Sequence, residues 1–140
     1  MWRVTLVCFV VLTFSTRILA ADTSIPPEAT VYVVPTDGYE TYIVAALAKK
    51  KVPVLVVNDT AKADFEISAV SQSSKVGVTR TILFGQIGTD ETASFTVTNL
   101  KSGVVAFAYS VDKKNSVRGK QSSAESFAKN LADKIRKSNR

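Results

Sequence analysis

The arrangement of residues 30–57 constrains this chain more than any other feature. Residues 30–34 are β-branched or aromatic and end at Pro35, as a buried strand would. Tyr39, Tyr42, Ile43, Ala46 and Leu47 follow at helical spacing, with Asp37 and Glu40 three residues apart as a capping-box-like start. Lys49, Lys50 and Lys51 close that helix, placing positive charge at the negative end of its dipole. The next apolar run, residues 52–57, is continuous rather than alternating, which predicts a strand covered on both faces. Strand, helix and strand within 28 residues make a βαβ unit, two parallel strands joined by a right-handed crossover.

Beyond Asp59 and Thr60 the pattern changes. Phe65, Ile67 and Ala69 alternate with Glu66 and Ser68, the mark of a strand with one wet face. Residues 71–75 read as a loop, and 79–84 as another strand candidate. Residues 93–98 and 104–111 flank a five-residue turn ending at Gly103, which predicts a β-hairpin. Both faces of its second strand are apolar, so that strand is expected to be central. Ser122 and Glu125 form a second capping box, and Ala124, Phe127, Ala128, Leu131 and Ile135 make one apolar helical stripe. Lys134, Arg136 and Lys137 follow at its carboxyl end. The sum is an α+β (α/β) fold: a mixed sheet of about five strands with one βαβ unit, a hairpin and a C-terminal amphipathic helix packed on the sheet.

Residues 1–20 are set apart. A basic start at Arg3 leads into an apolar run ending at Phe14, and Ala20 and Ala21 supply small residues for cleavage, which is the layout of a secretory signal peptide. Ser15, Thr16 and Arg17 cut the run short of the roughly 20 apolar residues a membrane span needs. The reading is therefore a signal peptide over 1–20, a single domain over 21–140, and a periplasmic or secreted location with no membrane span after cleavage. Asp22 stands where a lipid-modified cysteine would be needed, so no lipid anchor is expected.

The chemistry open to the exported part is narrow. The chain contains no histidine, and its one cysteine, Cys8, lies in the leader. That leaves no Ser-His or Cys-His pair, no ordinary zinc site and no disulfide, so packing alone must hold the domain. Asp37, Glu40, Asp59 and Asp64 are the candidates for a carboxylate pair, but Asp37 and Glu40 already serve a helix start and Asp59 sits in a turn. Gly85 and Gly88 lack the lysine of a phosphate loop, and Lys113 and Lys114 stand where a calcium loop would need oxygen ligands. No enzyme activity, metal or cofactor is expected.

Charge is uneven. From residue 113 to 140 there are nine Lys or Arg against Glu125 and Asp133, whereas residues 22–112 are net acidic by three. Lys113, Lys114, Arg118 and Lys120 gather before the last helix, where free backbone amides also attract anions. These four are the candidate binding residues. Export points their partner away from nucleic acid and toward an envelope protein or an anionic envelope polymer.

The order of elements, with Ala63-Asp64-Phe65 opening a strand and a hairpin turn ending Ser102-Gly103, resembles the α/β domain shared by CsgG, LpoB and the amino-terminal part of TolB. The stretches 108–111 and 121–126 also resemble small exported proteins of environmental bacteria. The resemblance implies a non-catalytic binding module of the cell envelope. Two alternatives stand beside it: a small hydrolase-type enzyme using carboxylate or hydroxyl groups, and a structural protein assembling through an exposed sheet edge.

Overall fold

The computed structural model describes residues 22–36, 38–75, 89–116 and 118–140. Strand β1 (Ala29–Val33), helix α1 (Tyr39–Lys49) and strand β2 (Val54–Val57) come first. A short 3-10 turn (Thr60–Lys62) leads to β3 (Phe65–Lys75), β4 (Thr89–Asn99), β5 (Val105–Ser116) and helix α2 (Gly119–Ser138). The sheet order is β2-β1-β3-β4-β5. β1 runs parallel to both β2 and β3, and β4 runs antiparallel to its neighbours β3 and β5. The expected α+β architecture is present: a mixed five-stranded sheet, one βαβ unit, a hairpin and a C-terminal helix on the sheet. The expected leader, Asp37 and the strand candidate at 79–84 lie outside the described residues.

Strand periodicity decides which face is covered. Val31 and Val33, then Phe65, Ile67 and Ala69, then Ala93, Phe95 and Val97 recur at every second position and are buried. Both helices lie over that face, α1 contributing Tyr39, Ile43, Ala46 and Leu47, and α2 contributing Phe127, Leu131 and Ile135. Phe95 and Phe127 stack at the centre with ring centroids 4.5 Å apart and planes 13° from parallel. Ile25 is fully buried ahead of β1, and the Asn139 amide donates to its carbonyl oxygen at 3.2 Å, which ties the two ends of the domain together.

Asp64 explains why the Ala63-Asp64-Phe65 motif has a role in the fold. Its carboxylate accepts from the Thr30 hydroxyl at 2.8 Å and pairs with Lys101 Nζ at 3.0 Å. Its backbone N–H donates to Thr30, and its carbonyl accepts from Leu100 N–H at 2.9 Å. One residue thus fastens β1, the entry to β3 and the hairpin turn. Asn99 completes the turn by accepting from Lys101 and Ser102 N–H, while Gly103 takes a positive φ of 69°.

The structure corrects several expectations. β2 is not covered on both faces: Leu55 and Val56, which point to opposite faces of the sheet, are 55% and 43% exposed, because β2 is an edge strand of the described sheet and lies at the margin of what the helices cover. β5 is the opposite edge rather than central, and its apolar run is padded by the exposed Ala108. Residues 71–75 continue β3, because register with β4 satisfies their backbone without any apolar side chain. The polar connection after Val111 is likewise strand as far as Ser116. The Ser122 capping box does not form. Helix α2 starts at Gly119, Ser122 N–H already bonds to the Arg118 carbonyl, and Glu125 turns instead to Lys49 Nζ at 2.7 Å and Lys50 Nζ at 3.5 Å. The Glu half of the first capping motif reaches back to Thr36 N–H at 2.9 Å.

These carboxylates link the fold to pH. Hydrogen bonds from Lys49 and Gln121, with the lysine charges, lower the pKa of Glu125. The Thr30 hydroxyl and Lys101 lower Asp64, and the Thr36 N–H lowers Glu40. A depressed folded-state pKa contributes stability above the unfolded value of about 4, lost as pH falls through the folded one. The melting temperature should therefore hold level from neutrality to about pH 5 and fall below about pH 4, with the acid loss shrinking in high salt because the pairs are exposed. Thermal melts across that range check this, and a melting temperature unchanged at pH 3 would contradict it.

Candidate functional site

The helix layer covers one face of the sheet, and among the described residues no helix packs on the other, the bare face. On β4 the bare face carries Thr92, Ser94, Thr96 and Thr98 at every second position, interleaved with the buried Ala93, Phe95 and Val97. Cross-strand partners tie this row into an array: Ser68 and Thr96 hydroxyls lie 2.6 Å apart, Ser94 and Ser110 3.0 Å, and Thr92 donates to Asp112 at 3.5 Å. A shallow depression of about 360 Å³ lies between β4 and β5, over Ser94, Thr96, Ala108 and Ser110. A flat array of mutually bonded hydroxyls is suited to covering by another flat surface. It is not shaped to enclose a small molecule.

The four candidate cations fall at the corner where β5 ends and α2 begins, but they do not share one face. Lys113 and Lys114 are neighbours on β5, so they alternate: Lys113 is half-buried and stands in register with Glu91, whereas Lys114 is exposed on the same side as Asp112 and Ser110. Arg118 is exposed just ahead of α2. Lys120 is turned inward, its ammonium 5.8 Å from the Tyr39 ring centroid and its carbonyl accepting from the Tyr39 hydroxyl at 3.3 Å. Among the described residues none of the four makes an ion pair. The corner therefore offers Lys114 to the bare face and Arg118 to solvent, with Lys120 spent on packing.

A second feature was not anticipated. An open cleft of about 550 Å³ lies at the carboxyl ends of the parallel strands β1 and β2, walled by Val33, Val44 and Val56, with Glu40, Asn58 and Lys62 among its lining. Crevices at that place are a common outcome of parallel βα units. Of the carboxylates considered for catalysis, Asp59 accepts from Ala61 N–H and starts the 3-10 turn, while Glu40 and Asp64 hold Thr36 and Thr30. The described residues hold no cluster of three or more acidic, histidine or cysteine side chains, and no helix among them is long and apolar enough to cross a membrane.

Comparison with solved structures gives the fold a relative. A PelC dodecamer from Paraburkholderia phytofirmans superposes with a TM-score of 0.54 at 16% identity, over 80% of this chain and 92% of that one. A second PelC dodecamer structure from the same organism, of a variant with a single substitution, gives 0.52 at 13% identity over 80% and 89%. The likeness is one of fold. No protein-family model matches the chain, and no curated protein does.

The bare hydroxyl face was readable in part, since residues 92–98 alternate Thr or Ser with apolar residues at period two. The cleft was not, because it depends on β2 ending beside α1, a relation that only the crossover creates.

Proposed function

We propose that this chain is a non-catalytic module of the cell envelope, exported by its leader, that contacts an envelope protein or an anionic envelope polymer across the bare face of its sheet. The observation that carries this reading is the row Thr92, Ser94, Thr96 and Thr98, cross-bonded to β3 and β5 and flanked at its end by the exposed Lys114. Each paired hydroxyl keeps a protein hydrogen bond when a partner displaces water and has capacity left to bond that partner, and a cation at one end favours an anionic one. The leader pattern of residues 1–20 and the resemblance to the domain of CsgG, LpoB and TolB support an envelope setting. The PelC chains that share the fold are solved as dodecamers, in keeping with a protein that works by contact.

Photo-crosslinking tests this in the intact envelope. A crosslinker at Ser94 should capture a protein or polymer, and Lys114→Glu should weaken the capture, while a crosslinker at Lys129, exposed on the helix side, should capture nothing. Equal capture from both positions, or none from Ser94, would remove the bare face as the contact surface.

A further inference from the structure

The two edges of the sheet are defended unequally. β5 carries Asp112, Lys113 and Lys114 and two irregularities in its pairing with β4, devices that discourage another strand from adding. β2 is protected only by its shortness, four residues after Pro53, and carries neither charge nor pairing irregularity: Val54, Leu55, Val56 and Val57 are all apolar, and Leu55 and Val56 are 55% and 43% exposed. Val44, exposed on α1, extends the apolar strip along the helix side of that edge, where it shares the cleft wall with Val56. We propose that β2 pairs antiparallel with β2 of a second copy of this chain, about a twofold axis at Leu55.

The backbone sets the register. Glu28 N–H donates to the Pro53 carbonyl at 2.8 Å, so Pro53 turns its polar groups toward β1. By alternation Leu55 and Val57 do the same, while Val54 and Val56 face outward. Val54 N–H is taken by the Val52 carbonyl at 2.8 Å, which leaves the Val56 N–H and the Val54 carbonyl for a neighbour. In an antiparallel pair centred on Leu55, each Val56 N–H meets the other copy's Val54 carbonyl. Leu55 then faces the second copy's Leu55 at a non-hydrogen-bonded position, where side chains are closest.

Charge selects the same arrangement. Lys51 precedes Leu55 by four residues and Asp59 follows it by four, and both are exposed. A twofold at Leu55 brings the basic end of each strand to the acidic end of the other, twice. Neither residue has an ion-pair partner among the described residues. A patch of this kind is self-complementary, as a twofold contact requires.

Two measurements on the full chain test the pairing. With Cys8→Ser as background, Leu55→Cys should form a disulfide-linked dimer on mild oxidation, because cross-strand Cα atoms at such a position lie about 4.5 Å apart, within disulfide reach. Val70→Cys, 67% exposed on β3, should not link. In sedimentation the parent should pass from monomer to dimer with concentration, Lys51→Glu and Asp59→Lys should each weaken dimerisation about tenfold, and the double exchange should restore it. A monomer at every concentration, linkage from Val70→Cys as fast as from Leu55→Cys, or a double exchange that restores nothing would overturn the proposal.

Discussion

Phe127→Ala should lower the unfolding free energy by about 3–5 kcal/mol and the melting temperature by more than about 10 °C. Phe127 is completely buried, stacks on Phe95 and also meets the Phe107 ring at 6.1 Å. Its removal leaves a ring-sized void between α2 and the sheet that neither rigid layer can close. Chemical denaturation should show the midpoint moving with the slope unchanged. A variant that melts with the parent would mean that α2 does not pack through this stripe.

Phe95→Ala should cost about as much, roughly 3–5 kcal/mol, because Phe95 lies at the same point from the sheet side and touches Tyr39 and Tyr109 as well. The two variants should not be additive. Once one ring is gone the other has lost its stacking partner, so the double variant should be less destabilised than the sum by about 0.5–1.5 kcal/mol. Urea melts of the four proteins measure that difference, and strict additivity would place the two rings in separate contacts. The pair is the direct link between the period-two pattern of β4 and the helical stripe of α2.

How far the sequence could be read depended on whether each pattern reports its own burial. The stripe through Phe127, Leu131 and Ile135 and the alternation at Phe65, Ile67 and Ala69 state which face is apolar, and both were legible. A continuous apolar run does not. Residues 52–57 read as a strand covered on both faces and 104–111 as a central strand, yet β2 and β5 are the two edges and expose Leu55, Val56 and Val105, since a strand's place in the sheet is set by the topology. Polar strand ends were missed for a related reason: residues 71–75 and 112–116 are held by backbone register, which leaves no apolar signature. The candidate site was legible as a cluster of cations but not as a geometry. Alternation on β5 separates Lys113 from Lys114, and the Tyr39 ring draws Lys120 inward, a contact spanning most of the domain's length in sequence.

The central claim is that the sheet has one face sealed by helices and one that no helix among the described residues covers. Beyond Cys8 the chain has no cysteine, so in a Cys8→Ser background two adjacent β4 positions can be compared by thiol labelling of the native protein. Ser94→Cys, on the bare face, should react at nearly the rate of a free thiol, whereas Ala93→Cys, which replaces a residue with 0% exposure, should react only as fast as the protein unfolds. Equal labelling rates at the two positions would contradict the two-layer arrangement and, with it, the surface on which the functional reading rests.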